Sequence, residues 1–464
     1  MRLFCKCVKV LAGLYLILAM ALQLRFFQKE ETARLKKEKS QRSKFFVKVP
    51  EQGTFLYSAF VDNESCADNE KDSHLLKSRK LTIIAWQNET SVNQTFCCCI
   101  STLNKRTIQM KVIKFDQSPP SQLIAMRLEC ILSEDSDSII GASLTTQSIP
   151  CSENNKHYIK PTIRNSCLLR DKIAVCNRLM YGTVNPKLII EWFEVHRFLG
   201  VDHFIMHPER GLNLQARNVL KYYAKKGLME VIDFEFPLKD TLTRLKKAET
   251  ISTKSERRRE SQPLWNAEQI ALYDCRERHK YYEFAIDIDL DEILVTEAVD
   301  INALKTHLTE IFRRSKVAVL SFYVNLHFTS ENPRHETHPL LIKRYQDATQ
   351  PVDNRVKNMF MPSRVDAGNG SSHKLYPLDG FSREYLDPSI AAIHHFRECK
   401  KDTPFELFAY VNGTVEQIKI TCKSFRRNNS TAIKQLSSQD MIIKNISNVV
   451  STLMLSNIET DQLA

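Results

Sequence analysis

Apolar runs alternate with helix-like segments between residues 171 and 295, and this alternation constrains the fold more than any other feature. Residues 173–181, 201–206 and 229–234 are predicted buried strands, and a fourth apolar run begins at Tyr282. Strands that are joined by helical crossovers form parallel sheets with right-handed connections. The segment therefore predicts an α/β fold of the Rossmann type.

Local signals define the helices between these strands. Asn185 can cap a helix that has Pro186 at its first position and Gly200 just past its end. A second helix is expected over about 214–226 and stops at Gly227. Pro263 is expected to open a third helix, after a loop-like basic insert at 244–259.

The fourth strand ends in an unusual concentration of acids, namely Asp287, Asp289 and Asp291, followed by Glu292. In an extended strand, side chains two residues apart share a face, so Asp289 and Asp291 are expected to point the same way. Burying unpaired carboxylates is costly, and a hard divalent cation removes that cost. In open α/β sheets, ligands bind beyond the carboxyl ends of the strands, where these acids fall.

Three interpretations of the acidic cluster compete. A solvated turn does not explain why apolar residues continue at 293–295. A calcium loop of the EF-hand type needs glycine where Glu292 stands. A nucleotide-sugar site would use Mn²⁺ or Mg²⁺ to neutralise charge on a departing nucleoside diphosphate, and this interpretation is the strongest.

The N-terminal segment predicts a membrane anchor. Residues 1–7 are an expected cytosolic tail, 8–27 an apolar signal anchor and 28–50 a stem. A cleaved signal peptide is the alternative, because Ala19 and Ala21 offer a cleavage site. Eight Asn-x-Ser/Thr sequons and 11 of the 13 cysteines follow the anchor, which favours a lumenal body with disulfides. Since 11 is odd, at least one thiol is free or pairs between chains.

The charge distribution argues against nucleic acid as a partner. The chain has a net charge of +12, but residues 1–50 hold 12 Lys and Arg and 3 Glu, which leaves only +3 for the rest. Beyond the stem, residues 51–170 are predicted to form a β-rich region with strands near 81–86, 110–115 and 122–130. Residues 171–430 are the predicted catalytic domain, and 431–464 a C-terminal tail.

Several segments together resemble glycosyltransferase family 92 over about 171–426. The acidic segment resembles the family's Asp-x-Asp-Glu-Phe motif, with Ile293 in place of the aromatic residue. The other matching segments are 191–194 with 197–204, 269–275, His373-Lys374 and His395-Phe396-Arg397. Phe396 stands where the family usually has tyrosine, so a hydroxyl contact is absent there.

The resemblance implies a GT-A-type domain in a type II Golgi membrane protein. Characterised members of the family are similar in being metal-dependent β-1,4-galactosyltransferases. They use UDP-galactose on fucose-bearing or galactose-bearing glycans. We therefore expect an inverting hexosyltransferase that takes a UDP-sugar donor and a glycan acceptor.

Roles follow for single residues. Asp291 is expected to bind the metal directly, and Asp289 to bind it through water or to hold the donor ribose. His373 is the expected third ligand, although a sequon at Asn369 would place a glycan close to it. His395 and Arg397 are expected to meet the diphosphate or the acceptor, and a packed histidine is an equal alternative for His395.

An inverting transfer also needs a carboxylate that takes the proton of the acceptor hydroxyl. The candidates are Glu331, Asp353 and Asp366, with Asp353 and Asp366 ranked first by their distance along the chain. The competing function is a non-catalytic glycan-binding membrane protein, a lectin or adhesion receptor. Such a protein would bind glycan without any nucleotide.

Overall fold

The computed structural model describes most of the chain beyond residue 45. The described residues are 46–49, 53–62, 79–88, 95–103, 107–119, 123–132, 139–164, 167–237, 254–296, 301–329, 333, 337–338, 340–398, 405–411, 414–420 and 433–435. All belong to one compact unit, Phe46–Ala464. The predicted tail, anchor and nearly all of the stem lie outside these residues, as does most of 431–464. Among the described residues, no helix has the length and apolar character needed to cross a bilayer.

The described residues between positions 46 and 164 form an eight-stranded sheet. Its strands are β1 Val47–Val49, β2 Thr54–Asp62, β3 Lys80–Asn88, β4 Phe96–Thr102, β5 Thr107–Gln117, β6 Leu123–Ile131, β7 Ile139–Thr146 and β8 Thr162–Arg164. Their order is β1-β2-β3-β6-β5-β4-β7, with β8 added beside β2. The three strands expected at 81–86, 110–115 and 122–130 coincide with β3, β5 and β6.

Alternation along β3 shows how this sheet packs. Ile83 and the other residues on its side of β3 belong to a core that is formed by residues of the eight-stranded sheet itself. Ile84 and Trp86 on the other side belong to a second core. That second core includes Ile270 and Ala271 of a helix from the following region. Strand β3 is therefore buried on both faces, and one of them covers the helix that borders the site described below.

Three disulfides occur among the described residues: Cys98–Cys130, Cys99–Cys151 and Cys176–Cys275. Cys97 is a free, buried thiol. The run of three cysteines at 97–99 thus pairs with distant partners at two of its positions.

An eleven-stranded mixed sheet follows. Its strands are β9 Leu169–Met180, β10 His203–Pro208, β11 Met229–Val231, β12 Tyr282–Asp287, β13 Glu292–Thr296, β14 Val317–Phe328, β16 Val352–Phe360, β19 Ser382–Tyr385, β20 Ala391–Arg397, β21 Phe405–Val411 and β22 Thr414–Ile420. The main order is β11-β10-β9-β12-β16-β14-β20-β13. Two small ribbons pair β15 Asp347–Thr349 with β23 Ile433–Gln435, and β17 Val365–Ser371 with β18 Lys374–Pro377.

The four predicted strands of the α/β segment are adjacent and parallel, in the order β11-β10-β9-β12. The rest of the described chain is richer in strand than an α/β fold predicts. From β13 onward most pairings are antiparallel, and a few helices cover the sheet. This mixed pairing joins distant segments such as β12 with β16, which local periodicity cannot indicate.

Five α-helices are described: α1 Pro186–Phe198, α2 Leu214–Lys225, α3 Lys254–Arg278, α4 Ile301–Arg314 and α5 Leu341–Arg344. The Asn185 side chain caps α1 by accepting a hydrogen bond from Lys187 N at 3.0 Å, as predicted. The expectation that Pro263 opens α3 was wrong, because the helix begins at Lys254 and contains the proline. An interior proline forfeits one backbone hydrogen bond, a loss that a 25-residue helix tolerates.

Candidate active site

The acidic residues lie in a tight connection between β12 and β13, which we call the acidic turn, residues 288–291. Ile288 N still donates to Cys176 O at 3.1 Å, as in the parallel ladder, and the chain then reverses. Glu292 N donates to Asp289 O at 3.1 Å, and Glu292 Oε2 accepts from Asp289 N at 2.8 Å. The indole of Trp192 donates to Asp289 O at 2.9 Å.

The expectation of a continuous strand through Asp291 was therefore wrong. Strand β12 ends at Asp287, and the two following aspartates differ in environment instead of sharing a face. The side chain of Asp289 is 24% exposed, and that of Asp291 is 47% exposed. The turn forms because Glu292 Oε2 and the Trp192 indole satisfy backbone groups that strand pairing would otherwise use.

Two cations neutralise the inner part of the turn. The ammonium of Lys357 is fully buried and lies 2.6 Å from Asp289 Oδ2 and 3.0 Å from Glu292 Oε2. Arg178 Nε lies 3.2 Å from Asp289 Oδ1. Burial alone would raise the pKa of Asp289, but Arg178 and Lys357 hold it well below its ordinary value. Asp289 is therefore a carboxylate at neutral pH.

His373 lies next to this ion pair. Its Nδ1 donates to Val356 O at 3.1 Å, so its Nε2 accepts from Arg178 Nη2, also at 3.1 Å. Burial and the neighbouring cations lower the pKa of His373 to about 3. The imidazole is thus neutral, and both of its nitrogens have protein partners. The neighbouring sequon residue Asn369 is exposed on β17.

The outer part of the turn carries a different cluster. Ligand atoms of Asp291, Glu292 and His395 lie within 4.8 Å of one another. His395 Nε2 is 3.1 Å from Asp291 Oδ2, and His395 Nδ1 is 3.6 Å from Glu292 Oε1. Burial alone would lower the pKa of His395, but its hydrogen bond to Asp291 and the charge of Glu292 raise it. Within the part of the chain that the structure describes, neither Asp289 nor His373 belongs to this cluster.

The cluster at Asp291 fits a divalent cation. Glu292 Oε1 and His395 Nδ1 are buried and lack a hydrogen-bond partner. Carboxylate oxygens together with an imidazole nitrogen form a donor set that suits Mn²⁺. Burial and the charges of Asp289 and Asp291 raise the pKa of Glu292, against the opposing charges of Lys357 and His395.

Asp287 has a structural environment. Its Oδ2 accepts from Arg276 Nη2 of α3 at 2.8 Å, and both side chains are buried. Arg276 also donates to Ser371 O at 3.0 Å. The ion pair thus connects the end of β12 with α3 and with the loop that carries His373.

Arg397 ends strand β20, two residues after His395, and is exposed. Partial burial and the charge of Arg355 lower the pKa of Arg397, whereas Asp291 acts in the opposite direction. The charge of Arg397 is thus influenced both by Asp291 of the turn and by a second guanidinium, that of Arg355. This concentration of positive charge is suited to an anionic ligand.

The two candidate bases lie in different places. Asp353 is exposed on β16, and its charge acts on Tyr323 of β14. Asp366 of β17 forms an ion pair with Lys114 of the N-terminal sheet. Neither has a contact with the acidic turn among the described residues, and Glu331 falls outside them. Asp366 thus serves the contact between the two sheets in this structure.

Sequence reasoning missed the cations that hold the turn. Arg178 lies on the predicted first strand, and Lys357 lies between Val356 and Asn358 in a segment of mixed polarity. Lysine is almost never fully buried unless it is paired, so such a segment gives no sign that Lys357 is buried. The α3 residue Glu268, 3.4 Å from Arg178, gave no signal either.

Comparison with known proteins adds a family assignment. The sequence profile of glycosyltransferase family 92 matches residues 171–447. No curated protein matches the chain. Among solved structures, HddC from Yersinia pseudotuberculosis is 10% identical, with 48% of this chain and 89% of HddC covered and a TM-score of 0.20. Mouse xyloside xylosyltransferase 1 is 15% identical, with coverages of 33% and 52% and a TM-score of 0.18.

These structural likenesses are too low to carry an argument, and the assignment rests on the family profile. The matched region spans more than half of the chain and contains the acidic turn together with Arg178, Lys357, His373 and His395. The protein belongs to glycosyltransferase family 92.

Proposed function

We propose that the protein transfers a hexose, with galactose as the first candidate, from a UDP-sugar to a glycan acceptor in a Mn²⁺- or Mg²⁺-dependent, inverting reaction. The observation that carries this proposal is the cluster of Asp291, Glu292 and His395 at the carboxyl end of β12. It supplies unsatisfied metal-ligand atoms at the edge of the sheet where α/β folds bind nucleotides.

The ligand set that we favour is Asp291 and His395, with Glu292 facing the same position from the buried side. His373 is less suited than the motif suggests, because both of its ring nitrogens have protein partners. Asp289 in turn is held by Lys357 and Arg178. We assign it the role of fixing the turn, with the donor ribose as a further contact.

The chain's own residues prepare the site before substrate arrives. Lys357 and Arg178 fix the inner carboxylate, so the exposed Asp291 projects from a rigid base. Arg397 and Arg355, whose charges influence each other, would attract the diphosphate of the donor. When bound, the metal ion supplies Lewis-acid stabilisation of the departing UDP. Asp353 remains the candidate that accepts the proton of the acceptor hydroxyl.

The cellular setting belongs to the same proposal. A signal anchor at 8–27 would hold the catalytic region in the Golgi lumen, where UDP-sugars and glycan acceptors meet. The disulfides of the described region support an oxidising compartment. A β-1,4 linkage and a fucose- or galactose-bearing acceptor follow from the family resemblance alone.

The test is release of UDP from UDP-galactose by the purified full-length chain, with Mn²⁺ and with EDTA. We expect Mn²⁺-dependent release that EDTA abolishes and that Asp291→Asn lowers at least about a hundredfold. Asp379→Asn, which removes an exposed carboxylate from the turn after β18, is the matched control and should retain activity. Glycan binding without any turnover of UDP-sugars would instead support the lectin alternative and contradict the proposal.

A further inference from the structure

Strand β16 carries an irregularity directly before the residues that hold the acidic turn. Phe322 of β14 pairs with Lys357, but Val324 pairs with Val352. An advance of two residues along β14 therefore corresponds to five residues along β16. Arg355 within this bulge has a φ of 60°, a left-handed conformation that arginine rarely adopts. Such strain concentrates at functional sites, and bulges there re-aim side chains.

The bulge, residues 353–356, touches two regions. At one end, Val356 O binds His373, and Lys357 follows immediately. The Arg355 charge acts on Arg397 and on Glu268, both of which border the acidic turn. At the other end, the Asp353 charge acts on Tyr323. The bulge therefore connects the candidate donor site with the surroundings of Tyr323.

Three tyrosines lie there, and we call them the tyrosine face: Tyr323 of β14, Tyr385 of β19, which pairs with β14, and Tyr410 of β21, which pairs with β16. The ring centroid of Tyr323 is 5.3 Å from that of Tyr385 and 5.3 Å from that of Tyr410. Tyr385 is 49% exposed. Phe408, two residues before Tyr410 on the same side of β21, is 53% exposed and extends the face.

Carboxylates border the aromatic rings. Partial burial raises the pKa of Tyr323, and the neighbouring tyrosines and the charges of Asp353 and Asp387 act in the same direction. Both aspartates are exposed. The face thus combines flat apolar rings, phenol hydroxyls that donate and accept, and acceptor-only carboxylates.

This combination selects a ligand class. The guanidinium of Arg383 lies 5.5 Å from the Tyr385 ring centroid, but it already donates to Ser321 Oγ and His373 O. The phosphates of a nucleotide would be repelled by Asp353 and Asp387. A second copy of the chain that packed on the rings would also cover the two exposed charges beside them, and charged residues are depleted in the buried core of interfaces. A neutral sugar ring has an apolar face for the tyrosines and hydroxyl donors for the carboxylates. We propose that the tyrosine face binds a pyranose ring of the acceptor glycan, with Asp353 accepting a hydrogen bond from one of its hydroxyls.

That the bound glycan is the acceptor rests on the proposed function, but sugar binding itself can be tested separately. The full-length chain and its variants are applied to an array of pyranose-terminated oligosaccharides. We expect Tyr385→Ala to weaken binding about tenfold or more, and Tyr385→Phe, which keeps the ring, to stay within about threefold. Tyr376→Ala removes an exposed tyrosine of β18 outside the face and should bind like the wild type.

Kinetics on the best array glycan supply the second measurement. Tyr385→Ala should raise the KM for that acceptor about tenfold and leave UDP-galactose hydrolysis without acceptor within about twofold. Wild-type binding by Tyr385→Ala, or a wild-type chain that binds no array glycan, overturns the inference. The inference is also overturned if the wild type sediments as a dimer and Tyr385→Ala differs from it only in sedimenting as a monomer. The face would then be a subunit interface. Absence of UDP-galactose hydrolysis in the wild type would instead overturn the proposed function, while the array still decides on the face.

Discussion

The ammonium of Lys357 lies 2.6 Å from Asp289 Oδ2, between strand β16 and the acidic turn, and no part of it is exposed to solvent. The same ammonium lies 3.0 Å from Glu292 Oε2. A buried cation that serves two carboxylates ties β16 to the turn between β12 and β13. The geometry of Asp291, which projects from that turn, depends on this contact.

Replacing Lys357 with methionine should destabilise the fold strongly. The change leaves the carboxylates of Asp289 and Glu292 without their shared cation, and breaking a buried pair in this way costs about 3–5 kcal/mol. Urea unfolding followed by circular dichroism measures the loss. Lys374→Met removes an exposed lysine of β18 and is the control, with an expected change within about 0.5 kcal/mol. Equal stability of the two variants would show that Lys357 does not stabilise the turn.

The buried carboxyl of Glu191 on α1 should make stability depend on pH. Its oxygens accept from Leu341 N at 2.8 Å and from Ile342 N at 3.2 Å, and burial raises its pKa from 4.5 to about 7. Between these values the folded state holds a proton that the unfolded state has lost. Stability from this group is therefore complete below pH 4.5 and decreases as pH rises to about 7.

Glu191→Gln should remove this dependence. From pH 4.5 to 7 the wild type should lose up to about 3 kcal/mol of unfolding free energy relative to the variant, because only the wild type has the buried carboxyl group. Urea denaturation at several pH values measures it. Glu310→Gln on the exposed face of α4 is the control. A difference that stays constant with pH would contradict the assignment of the raised pKa to Glu191.

The disulfide between Cys176 and Cys275 should contribute strongly to stability, because it closes a loop of 99 residues between β9 and α3. Replacing both cysteines with serine should lower the free energy of unfolding by roughly 2–5 kcal/mol. Cys97→Ala, which changes the free buried thiol, is the control and should cost much less. Identical urea midpoints for the wild type and the double variant would contradict the prediction.

The N-terminal sheet should be required for the solubility of the family region. Glu277 of α3 is fully buried and binds Arg127 and Arg164 of that sheet at 2.5 and 2.7 Å. Ile270 and Ala271 of the same helix pack into the core that includes Trp86. A fragment that starts at residue 171 exposes this apolar surface and leaves Glu277 unpaired.

We therefore expect the 171–464 fragment to aggregate on expression, whereas the 46–464 fragment stays soluble. Size-exclusion chromatography of the two fragments measures this difference. A monomeric, folded 171–464 fragment would show that the N-terminal sheet is dispensable for the fold of the family region.

Local sequence signals predicted those parts of the fold that local interactions determine. Asn185 and Pro186 predict the start of α1 because capping involves residues that are neighbours in the chain. The apolar runs predict the four parallel strands for the same reason. The start of α3 was not predictable in this way, because Pro263 usually marks a helix start and the helix extends through it.

The candidate site was predicted only in part, because its contacts join distant segments. The sequence identifies the acidic residues, but their strand ends at Asp287 since Trp192 and Glu292 bind the backbone of Asp289. Lys357 reaches the turn through the pairing of β12 with β16, and no local pattern encodes that pairing. The choice between His373 and His395 likewise depends on which imidazole lies beside Asp291.

Binding of Mn²⁺ in the presence of UDP, followed by electron paramagnetic resonance, tests the central claim most directly. The account predicts saturable binding by the full-length wild-type chain, a loss of about tenfold to a hundredfold or more in Asp291→Asn and His395→Ala, and no more than about a threefold change in His373→Ala. Equal Mn²⁺ affinity in the wild type, Asp291→Asn and His395→Ala would contradict it.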